Sequence, residues 1–533
     1  MKSLTASLAT LVFTATVFPL LAAPEATQPN IVVILVDDMG FSDIGCYGSE
    51  IPTPNLDALA AGGLAFTQFY NTGRCCPTRA SLLTGLYPHQ AGVGHMDTDN
   101  HLPGYQGHLN DHCVTLAEVL RPAGYFTIFS GKWHVGQEHG TTPWTRGFDR
   151  SLNAAAGGFY FPDSQRTELF LNGTKVGRRG GGVPDAWYST DLWTDFGIQF
   201  IDEALAANHP FYLHLCHNAP HFPLQAPAEE IAKFRGKYRV GWDKLRQQRQ
   251  AKQQQIGVVD KAWPLPPRPD EVKAWESLSP KQQDQFDEMM AIYAACVAHM
   301  DTAVGRLVAA LKQRGVLDNT LIFFLSDNGA NAESGPNGKL DGDAPGDARS
   351  SVFVGQSWAT LSNTPLRRYK HFTHEGGIAT PLIVHWPAAI KSPGEWRQQP
   401  GHLIDIMATC VEVSAAHYPA EANGHAILPM EGRSLIPVLA NHPVQREGLY
   451  WEHEGNAAVR VGDWKLVRIG INGVWELYNL ATDRSEMHNL ARQEPARTQD
   501  LAAKWDAWAK RADVFPSPFK KAKGRAKNAR AQP

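Results

Sequence analysis

The sequence IVVILVDD at residues 31–38 decides the fold class of this chain. Six consecutive apolar residues, rich in Val and Ile, are too few for a typical helix and fit a strand that is buried on both faces. Such strands occur in parallel sheets that are covered by helices on both sides. The run ends directly in two carboxylates, Asp37 and Asp38, so reactive groups follow the point where the predicted strand stops.

The same pattern of an apolar run followed by reactive groups occurs three more times. Runs at 125–129, 211–215 and 321–325 are followed by SGKWH, CHNAPH and SDNG. In open α/β sheets, ligands bind beyond the carboxyl ends of the strands. We therefore expect one edge of a parallel sheet to carry a site. The polar side chains at that edge would be Asp37, Asp38, Lys132, His134, His221, Asp327 and Asn328.

The composition is that of a globular protein with more than one domain. The chain has 533 residues, of which 43% are hydrophobic and 19% charged. A net charge of -3 argues against nucleic acid as a general partner. Seven cysteines are too few for a disulfide scaffold, and their spacing leaves open which of them pair.

The chain divides into four predicted parts. Residues 1–23 form a signal peptide, 24–435 a catalytic domain, 436–515 a C-terminal subdomain and 516–533 a basic disordered tail. Apolar residues at steps of four and three predict a core helix over 286–311. Residues 226–285 are rich in Gln, Lys, Arg and Pro, which indicates a helical, partly loop-like insertion near the mouth of the site. After 435, short apolar runs predict a small antiparallel sheet, with a helix at about 495–511.

The N-terminus has the features of a secretory leader. Lys2 is the only charged residue before Glu25, residues 11–22 are nearly all apolar, and small residues precede Pro24. A membrane anchor is the alternative, but the apolar run is short for a span. No later stretch looks long and apolar enough to cross a bilayer. We expect an exported protein, periplasmic or secreted, that uses the export machinery and has no stable membrane anchor.

The stretch GRCCPTRASLLTG at 73–85 predicts a loop that turns into a helix. Pro77 suits a first helical position, and Gly85 suits the C-terminal stop. Cys75 would then lie just ahead of a helix N-terminus, where anions bind, and Arg79 would add a fork of donors. The alternative for Cys75 and Cys76 is a buried or disulfide-forming pair.

The predicted strand ends offer oxygen ligands for a hard cation. Asp37, Asp38, Asp327 and Asn328 suit Ca²⁺ or Mg²⁺, although an Asp pair after a strand can also be a cap or a turn. A thiolate from Cys75 is a soft ligand in such a site, and an oxygen nucleophile would fit better.

The arrangement C-x-P-[ST]-R-x-x-L-L-T-G at 75–85 resembles the signature of type I sulfatases, closest to bacterial arylsulfatases. The resemblance implies an alkaline-phosphatase-like α/β fold, a mixed sheet sandwiched by helices with a smaller C-terminal α+β domain. It also implies that Cys75, and not Cys76, is oxidised to formylglycine by a separate maturation enzyme. One hydroxyl of the hydrated aldehyde would ligate the cation and attack the ester sulfur, and the other would expel sulfate.

Three further motifs resemble those of the family: GKWHVG at 131–136, APHFP at 219–223 and NTPLRRYK at 363–370. By resemblance, Lys132 contacts the sulfate and the hydrate, and His134 hydrogen-bonds the hydrate. His221 binds sulfate, and either His221 or Lys370 protonates the leaving group. Taken alone, each lysine is also compatible with a surface position. The implied set that holds the anion is Arg79, Lys132, His221 and Lys370. The implied ligands of one Ca²⁺, with Mg²⁺ as the less favoured ion, are Asp37, Asp38, residue 75, Asp327 and Asn328.

The implied reaction is hydrolysis of a sulfated small molecule or carbohydrate to inorganic sulfate and an alcohol or phenol. The organic part of the substrate is left open, as is the role of several aromatic residues, which could line a pocket or belong to the core. These residues are Trp144, Phe159, Tyr160, Phe161 and Trp193. Two alternatives also remain: a phosphodiesterase or phosphonate monoester hydrolase of the same superfamily, and a catalytically idle binding protein. By resemblance to sulfatases, the Lys132/His134 pair favours sulfate.

Overall fold

A computed structural model of the chain describes residues 28–165 and 167–519. The predicted signal peptide, 1–23, lies outside the described residues, and so does most of the predicted tail, 520–533. Of that tail, residues 516–519 are described, and the ring of Phe519 packs against those of His95 and Tyr105.

A mixed sheet forms the centre of the described structure. Its strands are β1 (Asn30–Val36), β2 (Leu64–Tyr70), β3 (Phe126–Lys132), β4 (Arg150–Ala154), β5 (Leu169–Leu171), β6 (Thr174–Val176), β7 (Phe211–Cys216), β8 (Thr320–Ser326), β11 (Ala379–His385), β12 (Glu395–Arg397) and β13 (Gly401–His402). Between β8 and β11 in the chain, β9 (Lys339–Asp341) and β10 (Ser351–Phe353) form a separate hairpin. They lie in the order β12-β2-β11-β8-β1-β7-β3-β4-β5-β6, with β13 beside β2. The four predicted runs are the neighbours β8, β1, β7 and β3, and they pair in parallel, as predicted.

The central strands are buried on both faces, which explains their continuous apolar sequence. In β1, Val32, Ile34 and Val36 enter one hydrophobic cluster. Ile31, Val33 and Leu35 enter another cluster on the opposite face. Because successive side chains of a strand point to opposite faces, both clusters need apolar residues from the same run. Strand β11 runs antiparallel to β8 and β2, which makes the sheet mixed.

Helices cover both faces of the sheet. The α-helices of the described residues are α1 (Pro54–Ala61), α2 (Cys75–Thr84), α3 (Leu116–Leu120), α4 (Ser189–Ala206), α5 (Ala228–Ala232), α6 (Trp242–Ile256), α7 (Pro280–Gln313), α8 (Gly355–Ser362), α9 (Glu375–Ile378), α10 (Ile404–Ser414), α11 (Ile436–Leu439) and α12 (Pro495–Arg511). Short 3-10 helices are Gly45–Tyr47, Arg121–Ala123, Gln137–His139, Pro143–Thr145, Lys237–Val240, Trp275–Ser277 and Leu317–Asn319.

The predicted core helix is α7, and it corrects one expectation about membranes. It begins with a capping box between Ser279 and Gln282 and buries Met290, Val297 and Met300 completely. By length and composition alone it could cross a bilayer, so the expectation that no stretch after the leader could do so is wrong. Its burial in the core beneath the sheet is instead what a soluble core helix shows.

The segment 226–285 is helical and partly loop-like, as its composition indicates. It contributes α5, α6 and two 3-10 helices. The rings of Trp242 and Trp275 meet edge to face with centroids 4.8 Å apart, and Trp242 meets Trp358 of α8 at 5.3 Å. These edge-to-face contacts place the segment's tryptophans in the hydrophobic core.

A second sheet follows in the C-terminal part of the chain. Its antiparallel strands are β16 (Leu449–His453), β17 (Asn456–Val461), β18 (Trp464–Arg468) and β19 (Glu476–Asn479), after a small hairpin of β14 (Glu421–Ala422) and β15 (His425–Ala426). Helix α12 packs on β17 and β18. The predicted small sheet and its helix are thus present, and all seven cysteines of the chain are free.

Candidate active site

The carboxyl ends of β1 and β8 bring the predicted acidic residues to one point. Val36 lies opposite Ser326 in the parallel pair, so the residues that follow, Asp37 and Asp327, leave the sheet side by side. The backbone N–H of Asp38 donates to Asp327 Oδ1 at 3.2 Å. These carboxylates are essentially inaccessible to solvent, so each requires a cationic or hydrogen-bonding partner.

Basic side chains from α2 and β3 surround Asp37. Lys132 Nζ donates to Asp37 Oδ2 at 2.6 Å. Arg79 Nη2 lies 3.4 Å from the same oxygen and 2.9 Å from Asp327 Oδ2, while Arg79 Nη1 donates to the backbone carbonyl of Lys132 at 2.8 Å. The guanidinium of Arg79 therefore binds the carboxylates of Asp37 and Asp327 and the last residue of β3.

Asp38 collects a second set of partners. Lys370 Nζ lies 2.8 Å from Asp38 Oδ1, and Asn328 Nδ2 donates to the same oxygen at 2.7 Å. Asn331 Nδ2 donates to Asp38 Oδ2 at 2.8 Å, and His221 Nε2 lies 3.6 Å from it. The structure thus brings Lys370 to a carboxylate that lies 332 positions earlier in the chain.

The backbone is unusual where these side chains leave the sheet. Asp38 and His134 have φ values of 66° and 59°, a left-handed conformation that non-glycine residues rarely adopt. Gly131, directly before Lys132, has φ 124°, and a Cβ there would lie 1.9 Å from the carbonyl oxygen of Cys216. Such strained positions cluster at functional sites.

Helix α2 begins two residues earlier relative to its proline than predicted. Arg74 is the N-cap and Cys75 the first helical residue, so Pro77 is the third and not the first. Cys75 therefore lies within the first turn and not ahead of it. Pro77 costs the helix no hydrogen bond there, since the first N–H groups of a helix have no partner within it. Gly85 ends the helix in the left-handed conformation, as predicted.

Cys75 is buried beside His134 and Cys76. The Sγ atoms of both cysteines and a ring nitrogen of His134 all lie within 4.8 Å of one another. A hydrogen bond with Cys76, together with the charges of Lys132 and His134, outweighs burial and holds the pKa of Cys75 well below its usual value. Residue 75 thus lies where an anion is stabilised.

The electrostatics of the acidic cluster differ from residue to residue. Burial would raise the pKa of Asp37, but Lys132, His221 and Arg79 outweigh it and lower the pKa. For Asp38, Lys370 and His221 do the same. Burial and the neighbouring Asp37 raise the pKa of Asp327 well above its usual range. Of the three buried carboxylates, Asp327 is therefore the one that most readily takes up a proton.

The site leaves two oxygen atoms available for a cation. Asp37 Oδ1 and Asn328 Oδ1 are buried and have no hydrogen-bond partner among the described residues. Both belong to residues that the sequence predicted as ligands of a hard ion. A buried acceptor without a partner costs about 1–3 kcal/mol, and an oxygen-binding ion removes that cost. The residues present therefore fit a Ca²⁺ or Mg²⁺ ion.

Sequence reasoning missed two residues near the site. Asn331, which donates to Asp38, follows Asn328 by three positions in a loop whose path cannot be inferred from spacing. Glu333 accepts from Arg74 at 2.8 Å and lies 3.9 Å from Lys370 Nζ. The polar run NGANAE at 328–333 was the available signal.

The aromatic residues considered as a pocket belong mainly to the core. Phe159, Tyr160 and Trp193 are fully buried in the hydrophobic cluster beneath the sheet. A different pair lies beside the site. The rings of Phe222 and Phe353 stack with centroids 4.4 Å apart, and Lys370 Nζ lies 5.4 Å from the centre of the Phe222 ring.

Known proteins match this chain over most of its length. Residues 29–415 match a family model described as Sulfatase, and residues 368–507 match one described as N-sulphoglucosamine sulphohydrolase, C-terminal. An arylsulfatase of Klebsiella aerogenes is 37% identical, covering 78% of this chain and 93% of the relative. An uncharacterized sulfatase of Schizosaccharomyces pombe is 33% identical, covering 93% of this chain and 96% of the relative.

Solved structures agree with the sequence matches. The structure described as Ps i-CgsB in complex with k-i-k-neocarrahexaose has a TM-score of 0.68 at 27% identity, covering 93% of this chain and 95% of that one. The phosphonate monoester hydrolase of Agrobacterium radiobacter has a TM-score of 0.57 at 21% identity, covering 91% and 96%, and shares the fold alone. The predicted alkaline-phosphatase-like architecture is confirmed. The chain belongs to the sulfatase family, and its reaction is the hydrolysis of sulfate esters.

Proposed function

We propose that residue 75 supplies the nucleophile with which this sulfatase cleaves the sulfate ester, after a maturation enzyme has converted Cys75 to formylglycine. The observation that carries the proposal is the position of Cys75 in the first turn of α2, buried beside His134 and close enough to Asp327, a ligand of the proposed all-oxygen cation site, for their charges to interact. A thiolate is poorly matched to that site, whereas an aldehyde hydrate presents oxygen. The hydrate supplies the nucleophile and a second hydroxyl whose ionisation releases sulfate.

We propose Ca²⁺ as the cation, with Asp37, Asp38, Asp327, Asn328 and residue 75 as its ligands. The unpartnered oxygens of Asp37 and Asn328 support this assignment. Bound there, the ion would neutralise substrate charge and lower the pKa of a ligating hydroxyl. Ca²⁺ is preferred to Mg²⁺ because it accepts a larger and less regular set of oxygen ligands.

The basic side chains of the site give it the charge needed for an anionic ester. With all three carboxylates ionised, as a bound divalent ion would favour, their charges cancel those of Arg79, Lys132 and Lys370. A divalent ion would leave a net charge of +2, which favours a sulfate monoester.

The cationic residues divide into positioning and binding groups. Arg79 is held by Asp37, Asp327 and a backbone carbonyl, so we assign it to positioning the carboxylates and not to direct contact with sulfate. Lys132 and Lys370 have mobile ammonium groups that can turn from a carboxylate to a bound anion.

His221 is oriented for a role at the leaving group. Its Nδ1 contacts the backbone carbonyl of Phe222 as a donor, which directs Nε2 toward Asp38. In this tautomer Nε2 takes up and releases the proton. We propose that His221 or Lys370 delivers a proton to the ester oxygen as the bond to sulfur breaks.

We propose a sulfated carbohydrate or a smaller sulfated alcohol or phenol as the substrate. Relatives and neighbours of this chain include an N-acetylgalactosamine-6-sulfatase of Rattus norvegicus and a structure in complex with D-Glucosamine-2-N, 6-O-disulfate. The stacked rings of Phe222 and Phe353 offer a flat apolar surface beside Lys370, which suits either a sugar face or an aryl ring.

Three further assignments are also proposals. The catalytic domain is assigned to 24–435 and the C-terminal subdomain to 436–515. The protein is assigned to the periplasm or to secretion, with removal of residues 1–23. The alternative activity, that of a phosphodiesterase or phosphonate monoester hydrolase of the same superfamily, is supported by a shared fold. Rates on matched sulfate and phosphate esters distinguish the two activities.

The experiment that tests the proposal compares the two adjacent cysteines. Peptide mass spectrometry of active protein should show an aldehyde in place of CH₂–SH at Cys75 and an unchanged thiol at Cys76. Cys75→Ser should lose turnover, because a single hydroxyl cannot expel the sulfate. Cys76→Ser, the matched control, should keep much of its activity. Fully active protein with an intact thiol at Cys75 would overturn the proposed mechanism.

A further inference from the structure

A second cluster of metal-binding side chains lies beside the active site. His95 lies in the loop after α2, and His453 and Glu454 lie at the end of β16 and in the turn before β17. Glu333, which contacts both Arg74 and Lys370, connects this cluster to the active site through His371. The cluster thus joins the C-terminal sheet to the loops around residue 75.

The ligand atoms of this cluster have the spacing that a small divalent ion requires. Glu454 Oε1 lies 3.0 Å from His95 Nε2 and 3.7 Å from His453 Nε2. The ligand atoms of the three residues all lie within 4.8 Å of one another. Tetrahedral Zn²⁺ with bonds of about 2.0–2.1 Å holds its ligand atoms about 3.3 Å apart. The ring nitrogens of His95 and His453 lie within 4.8 Å of each other, and a small rotation of the His95 side chain, which is 23% exposed, would bring them to the spacing that Zn²⁺ requires.

His453 supplies an independent reason for a bound ion. Its side chain is fully buried, and neither ring nitrogen has a hydrogen-bond partner among the described residues. A neutral imidazole carries one N–H and one lone pair, and a buried polar group without a partner costs about 1–3 kcal/mol. An ion bound to Nε2 would use the lone pair that nothing else in the described structure uses.

Neighbouring groups orient the carboxylate. His371 Nδ1 donates to Glu454 Oε2 at 3.0 Å, which leaves Oε1 directed at His95 and His453. Such outer partners are typical of metal sites. The positive charge of Arg74 acts on His453 and would oppose a cation, but its Nη1 is paired with Glu333 at 2.8 Å.

We propose that His95, His453 and Glu454 bind a borderline divalent transition-metal ion such as Zn²⁺, separately from the hard-cation site of the catalytic carboxylates. Two imidazoles and one carboxylate suit Zn²⁺, whereas Ca²⁺ selects oxygen. The ion fastens the hairpin between β16 and β17 to the loop after α2. The partial exposure of His95 and Glu454 leaves a fourth position for water.

Titration of the calcium-loaded, full-length protein with Zn²⁺ and Co²⁺ tests the proposal. Wild type should bind one equivalent of Co²⁺ with the visible absorption of a tetrahedral nitrogen and oxygen site. Loss of an outer partner in His371→Gln should weaken binding about 10–100-fold. Loss of a ligand in His95→Gln or Glu454→Gln should weaken it further than in His371→Gln.

The controls separate this site from other sources of metal binding. His425→Gln changes an exposed histidine that lies near His112 and Asp111, and it should leave Co²⁺ binding unchanged. An ion bound to Cys75 and Cys76 would instead show an intense thiolate charge-transfer band. That band, the absence of stoichiometric binding, or unchanged binding in both His95→Gln and Glu454→Gln would overturn the proposal. Both variants change partly exposed side chains, so the test does not depend on altering the core.

Discussion

Replacing Lys465 by Met should strongly destabilise the protein, because Lys465 neutralises two buried carboxylates. The side chain of Lys465, in β18, is fully buried. Its Nζ lies 2.8 Å from Glu375 Oε1 and 2.9 Å from Glu486 Oε1. Glu375 begins α9, five positions after Lys370, so this contact fastens the C-terminal sheet to a segment of the active site.

The magnitude follows from the groups that the substitution leaves behind. In Lys465→Met, Glu375 keeps Arg484 as a partner at 2.8 Å, but the ammonium shared with Glu486 is lost. Breaking a buried ion pair by removing one member costs about 3–5 kcal/mol. Burial would raise the pKa of Glu375, yet Lys465 and Arg484 lower it from 4.5 to about 2. That shift corresponds to roughly 3 kcal/mol of preference for the ionised carboxylate from all of its partners together, among which Lys465 is the largest.

Denaturant unfolding followed by tryptophan fluorescence measures the effect. Lys233→Met is the matched control, since Lys233 Nζ also lies 2.8 Å from a carboxylate, that of Glu230, but its side chain is 59% exposed. The control should change the free energy of unfolding by no more than about 1 kcal/mol. If Lys465→Met falls within about 1 kcal/mol of the control, the buried ion pairs do not anchor the C-terminal sheet as argued.

The remaining predictions concern acid stability, the cation and the leaving group. Because folding lowers the pKa of Glu375, its contribution to stability is complete above 4.5 and is lost as the pH falls to about 2. Unfolding midpoints should therefore fall more steeply across that range in wild type than in Glu375→Gln, and equal slopes would contradict this. Asp327→Ala should lose bound Ca²⁺ and activity together in metal analysis of dialysed protein, whereas full activity after exhaustive chelation would exclude the metal role. Lys370→Ala or His221→Ala should slow esters of poor leaving groups by about 10²–10⁴-fold and nitrophenyl sulfate far less. An equal loss on both esters would indicate sulfate binding instead.

The sequence by itself determined the parts of the molecule whose signals are local. Nearly continuous apolar runs identified the four central strands, since a strand buried on both faces has few polar positions. Helical periodicity identified α7 because its apolar face repeats every three to four residues. Adjacent carboxylates after β1 pointed to a cation, because two acidic groups at one strand end repel each other without one.

Only the tertiary structure decided which distant groups share an environment. Lys370 reaches Asp38 across 332 positions, and the fork of Arg79 turns to two carboxylates and not to an open anion site. Likewise, His95 and Glu454, 359 positions apart, meet only because the C-terminal hairpin docks beside the loop after α2. Spacing along the chain carries no information on such contacts, because they are fixed by the order of strands in the sheet and by the packing of one sheet against another part of the molecule.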